Sequence, residues 1–329
     1  MTRAVRIREF GGPDVLRIED VLVGEPGPGE VRLRIHAIGL NRTELTLRSG
    51  RLPVKPPLPT PIGFEAAGVI EALRPNVSGF SVGDRVALVP AYSASQYGLY
   101  GEASLAPARS LVAIPNSVGF IEAAATWAAF GAAWSGLVAV GAVAAGQSVL
   151  ISAASSGVGL AAIQITKHLG ARPIALTRTS KKAQALLAQG AVAVIATDEQ
   201  DVVAETKRLT GGVGANLVLD AVGGPGFSAL AQSAATGGTL ILYGALDARP
   251  TVVPPFDVFA RNLTIRGVAL PALVRDDQKL AQLKRFVSDG LASGALRPTI
   301  GRTFAFDDIA DAHRFMETGE QIGKTVVTV

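Results

Sequence analysis

Along the first third of the chain, apolar and polar positions alternate in short runs broken by proline and glycine. Residues 5–9, 15–20, 30–38, 67–73 and 85–89 read as strands. Gly11-Gly12-Pro13, Glu25-Pro26-Gly27-Pro28-Gly29 and Ser81-Val82-Gly83-Asp84 are the turn signals between them. Short strands at close spacing predict a small antiparallel barrel. From about residue 121 the texture changes. Near-continuous apolar runs at 149–152, 173–177, 193–195, 217–220, 239–243 and 263–266 alternate with helical segments at 158–170, 181–190, 198–210 and 227–235. Uninterrupted apolar strands imply a parallel sheet covered on both faces, here six strands in a doubly wound α/β fold. The last segment, from about residue 268, ends in a strand-like tail at Lys324-Thr325-Val326-Val327-Thr328-Val329, whose simplest place is on the first domain. The expected division is therefore 1–120 plus 268–329 for the β-rich domain and 121–267 for the parallel-sheet domain.

Composition narrows the class. A chain of 329 residues with 48% hydrophobic and 18% charged residues suits a globular α/β enzyme of two domains. The net charge of +4 is small and spread out, so no nucleic-acid surface is expected. There is no cysteine, which excludes disulfides, thiolate metal sites and a cysteine nucleophile and is compatible with a cytoplasmic location. The opening MTRAVRIREFGG alternates like a strand and has no apolar signal core. Residues 123–166 carry no charge, yet Gly131, Gly136, Gly141 and Gly146 interrupt them. A buried helix followed by the first sheet strand explains this run better than a membrane span.

The most informative stretch is 148–179, which reads as strand, small-residue turn, helix and second strand. Its turn suits a phosphate: Gly157 and Gly159 allow close backbone approach, Ala153, Ala154, Ser155 and Ser156 add little bulk, and free N–H groups open the helix near Val158. Of the Gly-x-Gly-x-x-Gly pattern only Gly159 stands in register. About 20 residues beyond such a turn an NAD site places an acid for the ribose 2′-hydroxyl. That place holds Thr177, Arg178, Thr179 and Ser180, followed by Lys181 and Lys182, with no carboxylate to repel a 2′-phosphate. NADP(H) is expected over NAD(H), bound by Ser155, Ser156, Gly157, Val158, Thr177, Arg178 and Lys182. Lys182 also reads as a solvated helix start.

Further motifs recur in order: Gly12-Pro13-Asp14-Val15-Leu16, Gly39-Leu40-Asn41-Arg42-Thr43-Glu44, Gly63-Phe64-Glu65-Ala66-Ala67-Gly68-Val69-Ile70, Val82-Gly83-Asp84-Arg85-Val86, Asp220-Ala221-Val222-Gly223-Gly224, Gly237-Gly238-Thr239, Tyr243-Gly244 and Gly323-Lys324. With the turn at 153–159, they make the chain resemble, over nearly its whole length, a zinc-free medium-chain dehydrogenase/reductase of the quinone oxidoreductase (zeta-crystallin-like) branch. The resemblance implies a Rossmann domain joined to a GroES-like barrel domain, and a homodimer paired through an edge strand such as 263–266. Zinc-dependent members carry Cys where Asn41 stands and Gly-His-Glu where this chain has Gly63-Phe64-Glu65; amide and phenyl groups do not replace those ligands. His36, His168 and His313 read as packed or surface residues. No metal is expected.

By the resemblance Asn41 lies near nicotinamide and substrate as an amide donor, although a turn residue is the plainer reading. Glu44 reads as a helix-start carboxylate. Tyr243 is the other catalytic candidate. The cofactor set extends to Asn41, Val222, Gly223, Tyr243, Gly244, Ala245, Val268 and Lys324, several of them ending parallel strands where ligands gather. The loop PAYSASQYGLYGE, with Tyr92, Gln96, Tyr97 and Tyr100, offers Tyr92 and Tyr97 as substrate contacts or forms an ordinary surface loop. Three departures from the family stand out: Thr197 where a Tyr is frequent, Ala132-Ala133-Trp134 in place of Thr-Ala-Tyr, and Leu45 and Leu47 where tyrosines occur. Thr197 implies one cofactor contact fewer, and the leucines imply a more apolar substrate pocket.

The expected activity is NADPH-dependent hydride transfer to a conjugated carbonyl (a quinone, enone or alkenal) without a metal. Donors such as Asn41 or backbone N–H groups would meet the charge developing on oxygen. A simple ketone is a poorer acceptor without a Lewis acid. The rival from another class is an NADPH-binding redox sensor or structural protein with little catalysis. A serine hydrolase is excluded, since no Gly-x-Ser-x-Gly elbow is present.

Overall fold

A computed structural model describes residues 1–93 and 95–329. The chain forms two compact units, residues 1–128 with 297–329 and residues 129–296.

Unit 1 begins with β1 (Thr2–Ile7), β2 (Arg17–Val21) and β3 (Glu30–Gly39), then α1 (Arg42–Arg48) and β4 (Thr60–Pro61). The strands β5 (Ala66–Leu73), β6 (Arg85–Leu88), β7 (Ala103–Pro107) and β8 (Leu111–Ala113) follow, then α2 (Phe120–Ala124); α3 (Trp127–Trp134) begins at the end of this unit and lies mostly in unit 2. The alternating pattern of β3 buries Val31, Leu33, Ile35 and Ala37 on one face, as a half-buried strand requires. Asn41, in extended conformation, starts α1, and Glu44 three residues later reaches back to its N–H, one arm of a capping box.

Unit 2 holds β9 (Ser148–Ile151), α4 (Gly157–His168), β10 (Arg172–Thr177), α5 (Ala183–Ala188), β11 (Ala193–Ala196), α6 (Val202–Leu209), β12 (Ala215–Asp220), α7 (Phe227–Ser233), β13 (Ala234–Leu242), α8 (Pro255–Ala260), β14 (Thr264–Gly267), α9 (Leu270–Leu273) and α10 (Asp277–Ser293). All its strand pairs are parallel, in the order β11-β10-β9-β12-β13-β14. Every residue of β9 is buried, and so are the last five of β10, which is why these strands read as continuous apolar runs. The uncharged run before β9 forms α3 and a π-helical turn over Ser135–Val140. A Cβ on Gly136 or Gly141 would strike Leu219 or Leu217 of β12, so the small residues let this segment lie against the sheet. Among the described residues no helix is long and apolar enough to cross a membrane.

The chain returns to unit 1 as β15 (Ile300–Ala305), α11 (Ile309–Thr318) and β16 (Lys324–Thr328). Unit 1 contains a three-stranded sheet, β2-β1-β4, and a seven-stranded one, β15-β16-β3-β5-β6-β8 with β7 also on β3. Val5 and Ile7 of the first sheet share one core with Leu33, Ile38, Ile70 and Val86 of the second. The tail does join this domain, antiparallel to β3, with Val326 opposite Gly39.

The division differs from the expected one at 121–128, which falls in unit 1, and at 268–296. The latter stretch clusters with unit 2 because its apolar face is satisfied there. Leu270 and Leu283 lie against Gly131, and Phe286 meets the His168 ring edge-on at 5.8 Å.

Candidate functional site

Unit 2 gathers its candidate residues at the carboxyl edge of the sheet. Ser155, Ser156, Gly157 and Val158 follow β9; Thr177, Arg178 and Lys182 end or follow β10. Val222 and Gly223 follow β12, Tyr243, Gly244 and Ala245 follow β13, and Val268 follows β14. Between β9 and β12 the strand order reverses, which is where a doubly wound sheet opens a crevice.

The turn after β9 is ready for an anion. Ser156 caps α4, its hydroxyl accepting from Gly159 N at 3.0 Å. Among the described residues no acceptor reaches the N–H groups of Gly157 and Val158, which stand at the positive end of the helix dipole. Gly159 is required by packing: a Cβ there would lie 2.5 Å from Ala154 Cα. Lys182 Nζ reaches Ser155 Oγ at 3.3 Å, so the basic segment after β10 folds back to this turn. Arg178 is exposed and, among the described residues, its guanidinium has no partner. These orphaned donors and the adjoining cations fit the phosphates of a dinucleotide.

The base of the crevice is set by a residue that appears in the sequence motifs without an assigned role. Asp220, fully buried, accepts from Ser152 Oγ at 2.5 Å, Val222 N at 2.9 Å and Gly223 N at 2.9 Å. It ties the ends of β9 and β12 together and shapes the turn at 222–223. Close by, the Tyr243 hydroxyl is buried and has no well-formed hydrogen bond among the described residues. Burial, reinforced by Asp220 and only partly offset by the Ser156 hydroxyl, raises its pKa, so the phenol stays protonated. Gly244 is also forced, since a Cβ would approach Ala221 O to 2.8 Å.

One expectation needs correction. The edge beside Arg178 does carry carboxylates, supplied by the neighbouring strand. The β10–β11 ladder continues beyond both strands, with Thr197 N donating to Thr177 O at 2.8 Å and Asp198 N to Arg178 O at 2.9 Å. Glu199 Oε1 then accepts from Ser180 N at 3.1 Å. These acids are distant in sequence from the turn pattern and come alongside only because the strands are parallel neighbours.

In unit 1, Asn41 and Lys324 meet because β16 runs antiparallel to β3, placing the start of one beside the end of the other. The Lys324 ammonium, 6% exposed, donates to Asn41 Oδ1 at 2.7 Å, Leu40 O at 2.9 Å and Glu65 Oε2 at 2.8 Å. All three of its protons are used. The Asn41 amide is thereby held in one orientation: Oδ1 faces Lys324, one Nδ2 hydrogen goes to Gly39 O at 3.0 Å, and the second has no acceptor among the described residues. Glu65, fully buried, also accepts from Ala128 N at 2.8 Å.

Glu44 is a hub rather than a simple helix-start acid. Its carboxylate is fully buried and accepts from Asn41 N at 2.6 Å, Phe64 N at 2.8 Å and Tyr100 Oη at 2.6 Å. Burial pushes its pKa up to about 7 against these bonds. Tyr100 Oη also lies 3.0 Å from His313 Nε2. Burial, with help from Arg48, lowers the His313 pKa to about 3 and keeps the ring neutral. The Asn41-x-x-Glu44 spacing could have revealed the cap; nothing local announces Tyr100 or His313 as its partners. His36 stacks on Phe120 at 4.4 Å.

The polar-aromatic loop is divided; its Ala94 lies outside the described residues. Tyr92 Oη donates to Phe64 O at 2.6 Å, so with Glu44 on Phe64 N it fixes the backbone on either side of Phe64 Cα. Tyr97 Oη goes to Glu30 at 2.6 Å, at the start of β3 and away from the end that leads into Asn41.

Comparison with known proteins agrees with this architecture. Residues 27–120 match the alcohol dehydrogenase GroES-like domain, and residues 157–288 match the domain described as zinc-binding dehydrogenase. A human quinone oxidoreductase is 33% identical over 95% of this chain and 93% of its own. The chain belongs to the medium-chain dehydrogenase/reductase family, in its quinone oxidoreductase branch. Another relative in this family, a 2-haloacrylate reductase from Burkholderia sp, is 31% identical over 99% of both chains. A solved NAD-dependent alcohol dehydrogenase superimposes with TM-score 0.92 at 34% identity over 99% of both chains. A mycobacterial protein solved with NADPH superimposes with TM-score 0.90 at 32% identity over the whole of both. Among the described residues no three His, Asp or Glu side chains group to hold a metal. Asn41 and Glu65 are both bound by Lys324.

Proposed function

We propose that this protein is an NADPH-dependent reductase of conjugated carbonyl compounds (quinones, enones or alkenals) that works without a metal ion. The observation that carries the reading is the turn after β9. Among the described residues it presents unpaired Gly157 and Val158 N–H groups beside Lys182, and an unpartnered Arg178 follows the next strand. NADPH, when bound, supplies a hydride from its nicotinamide. Ser155, Ser156, Gly157 and Val158 would hold its pyrophosphate, and Thr177, Arg178 and Lys182 its 2′-phosphate. The relatives named quinone oxidoreductase and 2-haloacrylate reductase support a conjugated acceptor, and the mycobacterial neighbour bound to NADPH supports the cofactor.

Negative charge growing on the acceptor oxygen needs a fixed donor. Asn41 suits that task, because Lys324 and Gly39 lock its amide and leave one N–H hydrogen unspent. The donor set of Asn41 and Phe64 would not retain zinc, and Glu65 is already neutralised by Lys324. Lys324 therefore acts through Asn41. Tyr243, kept protonated, serves as a neutral donor rather than a ready acid.

We infer a homodimer as well. β14 is an edge strand with exposed backbone, and the nearby Phe256 and Phe259 are 76% and 62% exposed, an apolar surface that a second copy would cover.

The test is consumption of NADPH with a panel of quinones, enones and alkenals, together with NADPH and NADH titrations of the wild type and Arg178→Ala. Saturable turnover and an NADPH affinity that falls about tenfold in the variant, with NADH unchanged, are expected. Tight NADPH binding without turnover would instead identify a sensor.

A further inference from the structure

Cofactor selection in a doubly wound sheet is ordinarily read from the end of the second strand alone. Here that end, Thr177 to Ser180, holds only cationic and hydroxyl groups, while its parallel neighbour brings two acids alongside. Glu199 is the fixed one. Its carboxylate accepts from Ser180 N at 3.1 Å, two residues beyond Arg178, and its side chain is exposed. It does not neutralise Arg178, whose guanidinium has no partner among the described residues. Asp198 stands between them in the ladder, its N–H on Arg178 O.

We propose that Glu199 is a specificity-determining residue that opposes the 2′-phosphate and so limits this protein's preference for NADPH over NADH. The inference rests on the cofactor reading above. Arg178 and Lys182 attract a group carrying nearly two negative charges, and the pinned carboxylate repels it at the same edge. A ribose 2′-hydroxyl carries no charge and is not repelled by Glu199. The balance of these charges, not the cations alone, sets the ratio of the two affinities. The site is exposed, so its repulsion is partly screened and grows as salt is removed.

The substitution Glu199→Gln isolates the charge, because its amide oxygen still accepts from Ser180 N and the residue is exposed. Kd values for NADPH and NADH are measured on the full-length wild type, Glu199→Gln and Arg178→Ala, at low and physiological salt. We expect Glu199→Gln to bind NADPH about fivefold more tightly at physiological salt, and more so at low salt, with NADH within about twofold. A ratio of NADPH to NADH affinity that rises less than about threefold, or falls, overturns the proposal. The Arg178→Ala arm separates the two ideas. If it weakens NADPH alone, the cofactor reading stands whatever Glu199 does. If it leaves NADPH untouched, that reading fails and the proposal falls with it.

Discussion

Replacing Lys324 by methionine keeps most of its length and removes its charge. Glu65, fully buried, would be left with the single N–H of Ala128 at 2.8 Å. Removing one partner of a buried ion pair costs about 3–5 kcal/mol, because the remaining charge has neither water nor a counterion. An exposed pair makes the contrast: Arg208 and Glu205 lie 2.7 Å apart with side chains 66% and 24% exposed. Breaking that pair by Glu205→Gln should cost no more than about 0.5 kcal/mol. The assay is urea unfolding of the wild type, Lys324→Met, Glu65→Gln and the double variant, with Glu205→Gln as control. The double variant no longer buries an unpaired carboxylate and should recover about half of the Lys324→Met loss, roughly 2 kcal/mol. Turnover gives a second readout, since Asn41 loses the partner of its Oδ1. Lys324→Met should lower kcat more than it raises KM for the acceptor. A loss below about 1 kcal/mol in Lys324→Met, or a double variant no more stable than the single, would refute the reasoning.

Other consequences can be checked separately. Glu44, with a folded pKa of about 7, makes stability fall as pH rises from its ordinary value to 7; His313, with a folded pKa of about 3, makes stability rise from there to 6.5. The two slopes oppose each other between about pH 4.5 and 6.5, so Glu44→Gln should show stability rising with pH across that window and His313→Asn should show it falling, by urea unfolding. Equal slopes in the two variants would contradict these assignments. Gly159→Ala forces a Cβ to 2.5 Å from the Ala154 backbone, so it should destabilise by about 2 kcal/mol or more and weaken NADPH binding; an unshifted thermal midpoint would remove the close-approach argument. Phe256→Asp with Phe259→Asp should shift the proposed dimer to monomer in light scattering without changing the far-ultraviolet dichroism.

Local pattern was sufficient for much of this protein. The unbroken apolar runs at β9, β10 and β12 declare a sheet covered on both faces, since a strand with one wet face would alternate. The small residues from Ala153 to Gly159 declare a turn where backbone must come close, and the ordered motifs identify the family. What local pattern could not supply is everything set by strands meeting across long stretches of chain. Lys324 fixes Asn41 because β16 pairs with β3, and the two residues lie 283 positions apart. Glu44, Tyr100 and His313 form one buried network from three separate segments. Glu199 reaches the edge beside Arg178 because parallel neighbours are joined through a helix, which places opposing charges far apart in sequence and side by side in space. The stretch 268–296 shows the same limit: its apolar face is evident in the sequence, but only packing against Gly131 and His168 decides which unit it completes. Hydrophobic periodicity and turn chemistry are properties of neighbouring residues, whereas burial, ion pairing and cofactor selectivity depend on which surfaces the folded chain brings together.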